Sequence, residues 1–238
     1  MPRLSVNLNK VALIRNARGE NTPDLLRVAR DCEHFGAEGI TVHPRPDQRH
    51  IRYSDIPALK EVVTTELNVE GNPTEPFLEL VLEHRPHQVT LVPDPPGALT
   101  STGGWDTIGQ QAYLRRVVRR LHEASCRVSV FIDPEPRFVQ GARECGADRV
   151  ELYTGHYARR YAEDPEEAVS PHRACAEQAL RSGIGLNAGH DLNLDNLRYY
   201  CRAVPGLLEV SIGHALICDA LYLGLRNTVQ QYLRQLEC

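Results

Sequence analysis

Eight side chains stand where short β-prone runs of this chain end: Asn7, Asn9, His43, Glu70, Asp133, Glu151, His190 and His214. Their surroundings can bring imidazoles and carboxyls to pKa values near neutrality, the property that general acid–base catalysis needs. Packing alone does not ask for three histidines and two glutamates at such positions. Converging on one mouth, they would form a functional cluster that moves protons.

Basic residues lie beside them. The segment His43-Pro-Arg-Pro-Asp-Gln-Arg-His50-Ile places Arg45, Arg49 and His50 directly after one of the histidines. A planar guanidinium fork matches phosphate oxygens two at a time. The IRNARG run adds Arg15 and Arg18, of which Arg15 is expected on a solvated surface. Further on, Asn187-Ala-Gly-His190-Asp and Ser211-Ile-Gly-His214-Ala set glycine before histidine. Glycine lets backbone N–H groups approach an anion, and a helix N-terminus adds favourable partial charge. Asp191 is ambivalent, because it can cap a helix but repels a phosphate unless its backbone N–H alone makes the contact. No HExxH-like spacing supports a metal site, and none is expected. The only lysines are Lys10 and Lys60, and Lys10, following the first strand, leaves Schiff-base chemistry open.

Distant strand ends converge only if the strands lie side by side. Val-, Ile- and Leu-rich runs predict strands at Ser5–Asn9, Gly39–His43, Leu67–Glu70, Gln88–Pro93, Arg127–Asp133, Arg149–Thr154, Gly185–His190 and Glu209–His214. Several read as near-continuous apolar runs, the pattern of parallel strands covered on both faces. Helices fall between them. Pro23–Phe35 has helical spacing with Gly36 after it, Thr74-Glu-Pro and Asp133-Pro-Glu-Pro look like helix starts, and Gly36-Ala37 and Gly146-Ala147 repeat one helix-to-strand junction. This alternation predicts a single α/β domain over residues 1–238, a (β/α)8 TIM barrel with extra short helices. A doubly wound sheet is the alternative, but no GxGxxG follows the first strand. In a barrel the C-terminal strand ends carry the active site. Asp94–Asp106, with its prolines and glycines, reads as a lid. Gly155–Ser170 reads as a polar connection that opens with a short extra helix.

Composition narrows the partners. The 238 residues carry 27 Lys+Arg against 31 Asp+Glu, a formal charge of −4, with 42% hydrophobic and 24% charged residues. A pI near 6.2 speaks against nucleic-acid binding. No apolar run approaches a membrane span and the N-terminal segment lacks an apolar signal core, so a cytoplasmic protein is expected. The seven cysteines are dispersed without a C-x-x-C pair, and reduced thiols are the expectation.

Taken together, VNLNKVALIRNARG, GITVHPRPDQRHI, LNVEG, TLVP with TSTGG, VSVFID, VELYTG, LNAGH and SIGHALI resemble the pyridoxine 5′-phosphate synthase family of the deoxyxylulose-phosphate-dependent vitamin B6 pathway, nearly end to end. The resemblance implies a TIM barrel that assembles as a homo-octamer, acts on two small phosphorylated substrates and needs no cofactor. It implies condensation of 3-amino-2-oxopropyl phosphate with 1-deoxy-D-xylulose 5-phosphate to pyridoxine 5′-phosphate, phosphate and water. It further implies His43 and Glu70 as acid/base residues, His190 as proton donor and Glu151 as transition-state stabiliser. Asn7, Arg18, Gly213 and His214 match positions contacting the amino-ketone phosphate, and Arg45, His50 and Thr100 match those contacting the sugar phosphate. Asn9-Lys10 stands where many members carry Asp-His, and Asp191 where many carry Gly. Two other readings stay open on the residues alone: an aldolase working through Lys10, and a non-catalytic phosphate-binding barrel.

Overall fold

Within each strand, alternation decides which residues meet helices and which meet each other. The computed structural model describes residues 1–95 and 97–238; Pro96, within the expected lid, lies outside the described residues. The strands are β1 (Arg3–Asn7), β2 (Gly39–Val42), β3 (Leu67–Gly71), β4 (Gln88–Leu91), β5 (Arg127–Ile132), β6 (Arg149–Tyr153), β7 (Gly185–His190) and β8 (Leu207–Ile212). All are parallel and close in chain order into one barrel, with β1 paired to β8. This is the expected (β/α)8 fold.

Every second strand residue points outward. Leu4 and Val6, Ile40 and Val42, Leu67 and Val69, and their counterparts around the ring join one continuous hydrophobic core. Most of the intervening residues are polar, and several bond to one another inside the barrel, while Phe131 and Tyr153 form a small apolar cluster with Val92. Ser5 Oγ lies 2.7 Å from Thr41 Oγ1, Asn68 Nδ2 donates to Thr41 Oγ1 at 3.3 Å, and Thr90 Oγ1 donates to Asn68 Oδ1 at 2.9 Å. The strands therefore alternate, which corrects the near-continuous apolar reading: the branched residues fill one face only. At the N-terminal pole the interior ends in ion pairs, Arg149 with Glu209 at 3.4 Å and Arg3 with Glu66 at 3.5 Å, while Arg127 also binds Glu66.

The helices are α1 (Asn9–Asn16), α2 (Leu25–His34), α3 (Asp55–Val62), α4 (Glu75–His84), α5 (Gln111–Glu123), α6 (Pro136–Cys145), α7 (Gly155–Arg160), α8 (Pro165–Ser182), α9 (Leu197–Ala203), α10 (His214–Leu223) and α11 (Leu225–Leu236). Asp24 caps α2 by accepting from the N–H groups of Leu26 and Arg27, and Asp164 caps α8 through Glu167 N–H. The two Gly-Ala junctions are equivalent, since Ala37 N–H returns to Cys32 O and Ala147 N–H to Ala142 O, closing α2 and α6. The segment expected as a polar connection does open with α7, but from Pro165 onward it is α8.

Seven of the eight strands shift by one or two residues at one or both ends, β7 alone keeping the expected bounds, and the shifts in β1 and β8 bear on the site. β1 stops at Asn7 because its side-chain Oδ1 accepts Asn9 N–H at 3.0 Å, turning the chain so that Asn9 and Lys10 open α1. β8 begins at Leu207 and ends at Ile212, so His214 is the first residue of α10. Cys201 and Cys238 form a disulfide across 37 residues, correcting the expectation of reduced thiols throughout; five other cysteines are free. α9 and the residues after α11 bring that pair together, which sequence spacing does not reveal. Among the described residues no helix is long and apolar enough to cross a membrane.

Candidate active site

The C-terminal strand ends open into a cavity of about 550 Å³. It is lined by Asn7, Asn9, Lys10, His43, Arg45, His50, Glu70, Thr100, Glu151, His190, Asp191, Gly213 and His214, so thirteen of the expected site residues meet there. Arg18 lies on the exposed turn after α1 and does not line the cavity. Asp133 does not reach it either, because its carboxylate accepts Gly104 N–H at 3.2 Å.

His43 and Glu70 leave adjacent strands. Asn9 Oδ1 accepts His43 N–H at 2.9 Å, which ties the end of β2 to the start of α1. The His43 ring is buried, and its Nδ1 is 4.0 Å from Glu70 Oε2, beyond direct hydrogen-bond reach. Burial, then the charges of Arg45, His50 and Arg49, hold His43 well below the usual histidine range. Burial, then Asp94, push the Glu70 carboxyl up to about 8 against the opposing pull of Arg45. At neutral pH the proton therefore rests on Glu70, and His43 is an unprotonated acceptor beside it. Glu151 is also raised by burial, then by Glu70 and Glu209.

The β2–α3 loop presents the cationic wall. His50 Nδ1 accepts Ile51 N–H at 2.9 Å, which leaves Nε2 to carry the ring proton as a donor. Burial, then Arg45, Arg49 and Lys10, hold His50 down to about 4. Arg15 anchors this loop. It is 3% exposed, pairs both terminal nitrogens with the Asp55 carboxylate at 2.8 and 2.9 Å, and donates to His50 O at 3.1 Å. The expectation of a solvated Arg15 is thus corrected, because its partner Asp55 starts a helix far along the chain. Asn16 Nδ2 adds bonds to the carbonyls of Arg49 and His50 at 3.1 and 2.7 Å.

From the segment expected as a lid, Leu99, Thr100, Ser101 and Thr102 line the cavity. At one end Asp94 Oδ2 receives Arg45 at 2.6 Å and Ser101 Oγ at 2.7 Å. At the other, Trp105 N–H donates to Phe131 O at 2.9 Å, and Gly104 lies so close to β5 that a Cβ would stand 2.2 Å from Ile132 Cα. Between these anchors Arg49 donates to Ala98 O, and Thr100 Oγ1 lies 2.9 Å from His190 Nε2. Thr100 thus brings this segment against the β7 histidine.

His190 sits at φ +91°, a left-handed conformation rare for a side chain of its size. Gly189 before it has no room for a Cβ, which would stand 2.7 Å from Ser211 O and 2.8 Å from Glu151 Oε1. The ring stands edge-on to Tyr153, centroids 5.3 Å apart, and its Nδ1 is 2.8 Å from Asp191 Oδ2. Sequence reasoning missed Arg159, Tyr153, Phe131 and Ser101, which also line the cavity. Arg159 was findable, since α7 follows β6 directly at the C-terminal face. Among the described residues no three His, Cys, Asp or Glu side chains are grouped to hold a metal ion.

Comparison with known proteins matches residues 4–238 to the family described as pyridoxal phosphate biosynthesis protein PdxJ. A pyridoxine 5′-phosphate synthase from Cytophaga hutchinsonii is 58% identical over 237 residues, covering 100% of both chains. The protein of the same name from Porphyromonas gingivalis is 57% identical over 99% of both chains. Among solved structures, a thiamine phosphate pyrophosphorylase from Pyrococcus furiosus superposes with a TM-score of 0.64 at 12% identity, covering 99% of this chain and 95% of that one. A phosphoribosylanthranilate isomerase from Thermotoga maritima gives 0.62 at 15% identity over 100% and 99% of the two chains. Likeness at that identity concerns the barrel alone.

Proposed function

The chain belongs to the pyridoxal phosphate biosynthesis protein PdxJ family and is an enzyme, a pyridoxine 5′-phosphate synthase, and from that premise we propose that its barrel mouth condenses 3-amino-2-oxopropyl phosphate with 1-deoxy-D-xylulose 5-phosphate, releasing pyridoxine 5′-phosphate, phosphate and water. One observation carries the proposal: the His43 imidazole and the Glu70 carboxyl stand 4.0 Å apart inside a cationic wall, where burial favours the neutral form of each. An acid and a base held side by side can serve carbonyl addition and the later dehydrations in turn.

The amine comes with the substrate, so an imine forms without an enzyme lysine. Glu70 protonates the departing oxygen and His43 takes protons from carbon or nitrogen. His190, from the opposite wall, takes and returns protons during phosphate loss and ring closure. Glu151, kept neutral by burial, donates a hydrogen bond to developing negative charge without opposing the phosphates. Arg45, the Nε2–H of His50 and Thr100 hold the sugar phosphate. The amino-ketone phosphate is held by Asn7, the backbone at Gly213, His214 and the Asp191 N–H. Asn9 contributes through the His43 backbone, and Lys10 supplies positive charge.

The same reading includes a cytoplasmic homo-oligomer, an octamer by family resemblance. Exposed Leu13 and Ile14 on α1 and Leu221 and Tyr222 on α10 support self-association. The test is to mix both phosphates with purified, metal-free protein and to look for pyridoxine 5′-phosphate by mass and absorbance. Product formation supports the reading. No product, or borohydride trapping of substrate on Lys10, would favour the aldolase reading instead.

A further inference from the structure

We propose that Asp191 is a positioning residue that fixes the tautomer of His190, so that the nitrogen facing the lid and the substrate is the one free to exchange a proton. The geometry is direct. The His190 Nδ1 and Asp191 Oδ2 atoms are 2.8 Å apart, and among the described residues the ring has one other hydrogen-bond partner, Thr100, on Nε2 at 2.9 Å. A carboxylate only accepts, so Nδ1 must carry the hydrogen of that bond. Neutral His190 then has its lone pair on Nε2, aimed into the cavity.

The chain fixes the carboxylate beside the ring. Leu192 is buried, and Asn196 Nδ2 donates to Asp191 O at 3.3 Å, so the backbone after β7 is held from two directions. His190 itself has φ +91°, and its ring lies against the Asp191 carboxylate. Other titratable groups face the same space: Glu151 and Tyr153 from β6, His156 and Arg159 from α7, and His214 from α10. None of these is hydrogen-bonded to the His190 ring among the described residues, which leaves Asp191 to orient it. The bond to His190 is also the main reason the Asp191 carboxyl lies below its usual range.

The arrangement answers the objection that an acidic residue stands where this fold often binds phosphate. The Asp191 carboxylate is turned to the imidazole, and its backbone N–H is left for the anion. When substrate displaces Thr100, Nε2 takes one proton from it, the imidazolium is stabilised by Asp191, and the same proton is returned to the leaving oxygen. No other reactant is consumed.

The catalytic part of this inference rests on the proposed reaction, whereas the tautomer does not. The test uses full-length protein labelled with 15N-histidine, with His190→Asn identifying the His190 signals. Nitrogen spectra at neutral pH should show His190 as the Nδ1–H tautomer in the wild type. In Asp191→Asn the amide can donate to Nδ1, and the signals should move to the Nε2–H form; Asp191→Glu should restore them. In parallel, kcat of Asp191→Asn should fall about 10–100-fold with KM little changed, as when a carboxylate orienting a functional histidine is lost elsewhere, and Asp191→Glu should recover most of it. An Nε2–H tautomer in the wild type, or an unchanged tautomer in Asp191→Asn, would overturn the inference. Full activity in His190→Asn would instead remove the proposed role of His190 in the reaction, while the spectra would still decide the tautomer.

Discussion

A carboxyl that keeps its proton at neutral pH changes what two phosphates meet at the barrel mouth. Ionised, Glu70 and Glu151 would set negative charge at the base of a site meant for anions. Burial favours the neutral form of both, and Arg45, though paired with Asp94, supplies positive charge there together with Arg49 and Lys10. This division predicts opposite phenotypes. Arg45→Ala should weaken binding of the sugar phosphate about 10–100-fold, the loss expected of one charged hydrogen-bonding partner, with a smaller effect on kcat; calorimetry beside steady-state rates would show it. His190→Asn should do the reverse, lowering kcat about 10²–10⁴-fold with substrate affinity little altered. Much at this scale was legible. His43, Glu70, Glu151 and His190 stand out because their types are unusual at the ends of apolar runs. The burial of Arg15 was not legible, since it depends on Asp55, 40 residues away, and neither was the turn that makes Asn9 a backbone partner of His43.

Two loops carry the site, and each is held by a small number of polar bonds. The lid is fastened at Asp94 and at Gly104–Trp105, while its middle is held by Arg49 and Thr100. Limited proteolysis should therefore cut between residues 97 and 103, and cutting should slow when both ligands or the product are present, because closure over a phosphate adds bonds to this segment. Unchanged cleavage at saturating ligand would count against lid closure. The β2–α3 loop depends on the Arg15–Asp55 fork. Arg15→Lys keeps the charge but not the two parallel bonds, so KM for the sugar phosphate should rise about tenfold for roughly 1.4 kcal/mol of lost positioning, with kcat near that of the wild type. That this loop borders the site was legible from its prolines, glycines and position after β4. The loop clamp was not, because its members are scattered through three elements that only the barrel brings together.

As a whole, the molecule stores its acid–base chemistry as a dependence of stability on pH. Glu70 is raised to about 8 and Glu209 to about 7, with Glu151 raised in the same direction. The folded state thus holds protons that the unfolded chain releases above the ordinary carboxylate range, and stability is lost as pH rises towards 8. His50 and His172, both held down to about 4, and His43 work from the other side and cost stability as pH falls below 6.5. Between pH 6.5 and 8 only the carboxyl contribution changes strongly. Denaturant unfolding should show stability falling across that window, and Glu70→Gln should remove up to about 2 kcal/mol of the fall. An equal slope in the variant would contradict the raised Glu70. The barrel itself was legible because strand and helix runs alternate along the whole chain. Its polar interior was not, since alternation within four- to six-residue strands is masked by the valines and isoleucines of the outer face. The central claim is that Glu70 moves protons and does not bind phosphate. Wild-type and Glu70→Gln proteins should be compared for pyridoxine 5′-phosphate formation, with the affinity for each phosphate measured on the same samples. In Glu70→Gln kcat should be lower by about 10²–10⁴-fold with both affinities nearly unchanged, and a variant that turns over at close to the wild-type rate would contradict the proton-moving role of Glu70.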